Sequence, residues 1–210
     1  EANLCDVLNH EDRATRERWL SLCPEDVVAQ SPRLLMVRAW ALQFTWQISL
    51  QGAVVHQIEA LIAKNPAGQT TLRGQLSVLL GQAAFFDQQF DKAVTCSLEA
   101  LHSLSPEWRY VRGGAQIYLG LAMQASGRSA EVMQMLTEEY GTARDKSDGY
   151  ALRILIAICF VHYMNGDMEL LQRTAQVLVN TAVDRPPGIP QCWGHYFLGV
   201  VYYQWNQLDA

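Results

Sequence analysis

Apolar residues recur along this chain at helical spacing. Phe90, Ala93, Val94, Leu98, Leu101 and Leu104 fall at intervals of three and four, which gathers them on one face of an α-helix. Leu50, Ala53, Val54, Ile58 and Leu61 do the same about one period earlier, and Met168, Leu171, Ala175, Leu178 and Val179 do so later. Strict apolar–polar alternation bounded by Asn-Gly turns is absent, so the pattern predicts helices and no strands.

The helical pattern itself repeats. A small residue returns at Ala41, Gly81, Gly120, Cys159 and Gly199, at spacings of 40, 39, 39 and 40. Seven residues after each comes a turn position (Ile48, Gln88, Gly127, Gly166, Asn206), and five further on a packing position (Ala53, Ala93, Val132, Leu171). Glycine inside a helix costs about 1 kcal/mol relative to alanine. Its recurrence at Gly81, Gly120 and Gly199 predicts a close approach of another helix there. Pro66 and Pro106 lie 40 residues apart at the expected ends of second helices, and Pro186, Pro187 and Pro190 break a later connection. The predicted architecture is all-α, about ten helices in antiparallel pairs stacked side by side with a period of about 40. Such arrays are quasi-one-dimensional and present an extended concave surface.

The pattern of Tyr118-Leu119-Gly120 with Gly127, and of Phe197-Leu198-Gly199 with Asn206, resembles the tetratricopeptide repeat, although the period exceeds that family's 34 residues. The longer period, with Arg18-Trp19-Leu20, Pro24, Pro32-Arg33-Leu34 and Arg38-Ala39-Trp40-Ala41-Leu42, resembles the sensor arm of large ATP-dependent LuxR-type transcriptional regulators, the maltose-activator-like group. The resemblance implies a right-handed superhelix over residues 1–210. Leading helices are expected at about 10–30 and repeats from about 31, 69, 107, 148 and 188, the last one cut short. It also implies a fragment of a longer chain whose ATPase and helix-turn-helix domains lie elsewhere. The implied role is regulatory and non-catalytic: a small-molecule inducer or a regulatory protein binds the superhelix and alters self-association and DNA binding. A plain tetratricopeptide scaffold holding a partner peptide is the alternative.

Composition narrows this reading. The chain has 210 residues, 50% of them hydrophobic and 18% charged, with a net charge of −5. That excludes a disordered chain, and seven Pro with 14 Gly exclude collagen-like sequence. The charged fraction lies below the roughly 25% usual in soluble domains, which points to extensive burial or to an uncharged binding face. A pI near 5.5 without a basic cluster argues against direct nucleic-acid binding. Charge-free stretches separate Arg38 from Glu59 and Arg185 from Asp209, but their Gln, His and Pro content predicts buried helices and no membrane span. Five scattered cysteines fit a reducing cytoplasm, and no secretory leader opens the sequence.

Candidate chemistry is sparse. Cys159-x-x-His162 and Cys192-x-x-His195 invite a zinc site, but their repeat phases differ by seven residues, about 10 Å along a helix, so no metal and no cofactor is expected. No P-loop, His-Glu-x-x-His or Gly-x-Ser-x-Gly occurs, and nothing supports an enzyme. What remains is the groove that the tetratricopeptide resemblance implies. Its repeat phase selects Arg38, Gln75, Gln82, Gln124, Arg153, Tyr163, Trp193, Tyr196 and Tyr203, a set of donors and aromatic rings without an acid. Leu42, Phe85, Leu121 and Phe160 share the phase and are expected to pack between repeats, whereas Arg38, Arg153, Tyr163 and Tyr196 are the candidates for exposure.

Overall fold

The computed structural model describes residues 2–45, 47–64, 68–143, 149–183 and 188–207, and these form twelve helices with no strand among them. Three short helices lead: α1 (Ala2–Asn9), α2 (Arg13–Ser21) and α3 (Glu25–Gln30). Then come α4 (Pro32–Phe44), α5 (Ile48–Lys64), α6 (Thr70–Phe86), α7 (Phe90–Ser103), α8 (Arg109–Ala125), α9 (Ser129–Ala143), α10 (Gly149–Asn165), α11 (Met168–Ala182) and α12 (Ile189–Gln204). The even-numbered members from α4 are first helices of a pair and begin 38, 39, 40 and 40 residues apart. From α4 to α10 each packs on its own second helix and on the first helix of the next pair, and α12 packs on α10 and α11. None of the described helices is long and apolar enough to cross a membrane. Pro66, Pro186 and Pro187 lie outside the described residues.

Local chemistry sets the helix ends. The Ser31 hydroxyl accepts from Leu34 N–H at 3.4 Å, and Pro32 follows where a missing N–H costs nothing. Asp12 caps α2, accepting from the Thr15 N–H at 3.0 Å and its hydroxyl at 2.6 Å. Arg112 donates from Nη1 to the carbonyls of Leu101 and Leu104 at 2.6 and 2.8 Å, closing the end of α7.

The turns repeat more regularly than the residues in them. Gln88, Gly127, Gly166 and Asn206 all adopt positive φ, and so does Glu11 between α1 and α2. After each, an N–H closes on a carbonyl five residues earlier: Gln89 on Ala84, Arg128 on Met123, Asp167 on His162, Gln207 on Tyr202, and Asp12 on Val7. Thus α1–α2 is a helical hairpin of the same kind, one beyond the five visible in the sequence.

The first repeat departs from the predicted register. Ile48 opens α5 and is no turn residue; the closing bond is Gln47 N–H to Leu42 C=O. Four residues past each closing N–H stand Ala93, Val132 and Leu171, all fully buried. By the same count that place falls to Gln51 in the first repeat, and Leu50 and Ala53 are exposed. Gln51 is buried by donating to Ala39 C=O at 3.3 Å and to Gln43 Oε1 at 2.8 Å. In the leading hairpin the place falls to Arg16, fully buried.

The glycine expectation is corrected in part. A Cβ on Gly81 would meet Cys96 Cβ and Ser97 Oγ at 3.3 Å, a tight approach. At Gly120 the neighbours lie at ordinary contact, 3.4–3.6 Å, and around Gly199 nothing lies within 4 Å. The closest approaches are at Gly74 against Leu104 (2.7 Å), Gly194 against Val179 (2.6 Å) and Gly113 against the stem of Arg153.

Candidate functional site, an aromatic cavity on the first helices

All five first helices contribute to one cavity of about 540 Å³. Trp40, Gln43 and Phe44 come from α4, and Val78, Gln82, Phe85 and Phe86 from α6. Tyr110, Tyr118 and Leu121 come from α8, Arg153 and Phe160 from α10, and Cys192 and Trp193 from α12. The lining holds eight aromatic rings and no acid, and its one formal charge is Arg153. That size and character suit a small, largely apolar molecule.

The rings form three groups, one of them Phe85 and Phe86 beside Tyr118 (centroids 6.3 and 6.4 Å). At one end, Phe160 stands edge-on to Trp193 (centroids 4.8 Å) and to Phe197 (5.1 Å). At the other, Phe44 stacks on Tyr110 at 5.1 Å, and Trp40 meets Tyr110 edge-on at 5.7 Å. Two guanidinium groups cap the Phe44–Tyr110 stack: Arg16 lies 3.6 Å from the Phe44 centroid and Arg153 3.9 Å from that of Tyr110. Each is a cation–π contact, worth about 2 kcal/mol when desolvated.

The leading hairpin holds this end in place. Glu11 pairs with Arg153 across 142 residues of sequence. Asn9 donates to Glu107 C=O at 2.8 Å and accepts from the Tyr110 N–H at 2.9 Å, while the Cys5 thiol donates to the same carbonyl at 3.2 Å. Arg16 is fully buried, and none of its nitrogen atoms has a hydrogen-bond partner. Burial lowers its pKa, which Tyr110, Asp12 and Glu11 oppose. Burial likewise raises the Tyr110 hydroxyl, against the influence of Arg153. Gly113 matters here because its missing side chain makes room for the Arg153 stem.

The candidates from the sequence separate. Gln82, Arg153 and Trp193 line the cavity. Arg38 is turned to the leading helices, where it binds Glu25 through two contacts of 2.6 Å. Gln75 sits behind the wall, accepting from Trp40 Nε1 at 3.0 Å. Gln124 donates to Asn165 Oδ1 at 3.3 Å outside the lining. Tyr163, Tyr196 and Tyr203 are exposed and also outside it. Arg153, a candidate for exposure, is 5% exposed because its stem is enclosed against α8. Phe85, Leu121 and Phe160 pack in the interior as expected and also form wall, while Leu42 is absent from the lining. Sequence reading missed Trp40, Phe86, Tyr110 and Tyr118 in the wall, and the hairpin residues Glu11 and Arg16. The rings do lie on first helices, so repeat phase could have found them. No local signal marks Glu11 or Arg16, whose partners are remote in sequence.

No histidine or carboxylate lines the cavity. Cys159 is fully buried, its thiol pushed up to about 12 by desolvation, while Cys192 is exposed. Among the described residues no cluster of His, Cys, Asp and Glu has the arrangement to hold a metal ion. One lining group is unsatisfied: Gln82 is 1% exposed, and neither amide atom has a partner. Leaving a buried donor or acceptor unpaired costs about 1–3 kcal/mol per group. No protein-family model matches the chain, and no solved structure matches it.

Proposed function

We propose that this chain is a non-catalytic ligand-binding repeat domain, a tetratricopeptide-like right-handed superhelix whose first helices line the concave face. The observation that carries the reading is the cavity built by all five first helices, lined by aromatic rings around one unpaired amide. An aromatic wall supplies binding area, and a few placed polar groups supply orientation. The residues that bear this role are Gln82, Arg153 and Trp193 from the sequence reading, joined by Phe85, Tyr118 and Phe160.

Within that reading the domain is the sensor arm of a cytoplasmic LuxR-type transcriptional regulator. Its ligand is a small-molecule inducer, and its effect passes to ATPase and helix-turn-helix domains of the same full-length protein. A ligand acts there only through different affinity for two states of the protein. Arg153 joins the cavity to the leading hairpin through Glu11, so a ligand that touches Arg153 also bears on α1–α2.

Two measurements test the proposal. Thermal-shift screening of the chain against neutral and anionic metabolites should give ligands whose stabilisation is weakened in Leu121→Trp, whose indole intrudes on the cavity wall; stabilisation unchanged in that variant refutes the site. The uninterrupted gene should encode a P-loop ATPase before residue 1 and a helix-turn-helix after residue 210. An open reading frame with neither would sink the regulator assignment and leave only the binding domain.

A further inference from the structure

Four glutamines are buried among the described residues: Gln51, Gln75, Gln82 and Gln116. They form an internal control. Gln51 donates to Ala39 C=O and to Gln43 Oε1. Gln75 accepts from the Trp40 indole, and Gln116 donates to the Tyr150 hydroxyl at 3.0 Å. Gln82 differs from the other three in two ways: both of its amide atoms lack a partner, and it lines the cavity. A buried amide is normally satisfied, and each of the other three makes at least one hydrogen bond. The side chain with unmet capacity is thus the one that belongs to the cavity wall.

An amide is specific about what satisfies it. It presents a C=O acceptor and an N–H donor side by side in one plane. A carboxylate only accepts, so it would leave Gln82 Oε1 unmet. An ammonium only donates, so it would leave Nε2 unmet, and a hydrocarbon would leave both. A ring with an N–H next to a C=O, as in a lactam or an imide, meets both at once. Planar amide readout of a donor–acceptor ring edge is the geometry by which Gln and Asn recognise adenine.

The rest of the lining agrees. Phe85, Tyr118, Phe160 and Trp193 offer ring faces and edges for a flat molecule. No acid is present to hold a cation, and Arg153 already has Glu11 as its counter-ion, so no anion is required for charge balance. We infer that the cavity takes a neutral, planar heteroaromatic molecule carrying adjacent N–H and C=O groups on one edge, with Gln82 as the residue that reads that edge. This rests on the cavity being the ligand site proposed above.

Calorimetric titration of the 210-residue chain tests it with four probes of matched shape: quinolin-2(1H)-one, its N-methyl derivative, naphthalene and naphthalene-2-carboxylate. Quinolin-2(1H)-one binds at least about tenfold more tightly than each of the other three, a difference of about 1.4 kcal/mol. In Gln82→Leu that preference falls to within about twofold while naphthalene binding is kept, and the unliganded variant melts higher than the wild type. Gln82→Met serves the same purpose should the leucine variant fail to fold. Equal affinity of the wild type for quinolin-2(1H)-one and its N-methyl derivative overturns the inference while leaving the cavity a binding site. So does a preference that persists without Gln82, or a lowered melting temperature, which would mean that the fold itself satisfies the amide. Binding of none of the four overturns the inference together with the reading beneath it.

Discussion

First and second helices of the pairs have been given opposite tasks. Not one Asp or Glu occurs in α4, α6, α8, α10 or α12, whereas α5, α7, α9 and α11 each carry at least one. The second helices keep one apolar stripe inward, such as Leu171, Ala175, Leu178 and Ala182 in α11, and place ion pairs such as Arg173–Glu169 in water. The inner first helices α6, α8 and α10 are enclosed on several sides: α10 touches α8, α9, α11 and α12. In α10 every residue from Tyr150 to Cys159 is buried. A helix enclosed in this way has no solvated face on which to hold a carboxylate, and a buried unpaired charge is expensive. The polar side chains buried in the first helices are the amides Gln75, Gln82 and Gln116 together with Ser77, Arg153 and His162.

The largest test of that contrast is a matched truncation. Ile154→Ala in α10, a fully buried site, should lose about 2–5 kcal/mol in urea unfolding, while Val177→Ala in α11, 43% exposed, should stay within about 0.5 kcal/mol. Similar losses at both sites would mean that the second helices are as enclosed as the first. A gentler pair uses glycine, at the fifth residue of its helix in both cases. Gly113→Ala in α8 places a Cβ against the Arg153 stem and should cost about 1–3 kcal/mol. Gly52→Ala in α5 meets nothing within 4 Å and should raise stability by up to about 1 kcal/mol. If Gly113→Ala is also stabilising, Arg153 is not held against α8.

A smaller effect comes from the buried imidazole of α10. Burial lowers the His162 pKa from its ordinary 6.5, against the pull of Asp167. Below pH 6.5 the unfolded chain therefore binds a proton that the folded chain resists, and stability falls as pH drops through that window. The slope due to this group is at most about 1.4 kcal/mol per pH unit. Urea curves at pH 7.5, 6.5 and 5.5 should show it, and His162→Leu should flatten it; an unchanged slope assigns it elsewhere. Least of all, Arg173→Ala on α11 should leave the melting temperature unchanged, since both partners are more than two-thirds exposed. A measurable loss there would show that the outer ion pairs carry stability.

The helices were legible because each second helix must bury one stripe, and a stripe repeats at 3.6 residues wherever the chain runs. Gly127, Gly166 and Asn206 were legible as turns for an equally local reason, since glycine and asparagine tolerate positive φ. The first repeat was misread because Gln51 falls where other repeats place a small or apolar residue, and its burial depends on two hydrogen bonds that no pattern displays. The cavity was half legible. Gln82, Arg153 and Trp193 follow from phase, but Tyr163, Tyr196 and Tyr203 share that phase and remain outside the lining, because phase fixes a face of a helix and not the depth at which neighbours enclose it.

By itself, then, the sequence determined an all-helical chain with a period near 40, because an apolar stripe and a glycine or asparagine turn follow from forces acting within one or two turns. Only the tertiary structure decided that α1–α2 folds as a further hairpin, that Glu11 meets Arg153, and that Arg16 and Arg153 cap the Phe44–Tyr110 stack. It also decided that one buried glutamine in four would stand unpaired in a wall of rings. Those outcomes join residues up to 142 positions apart, and nothing short of the packed array brings them within reach of one another.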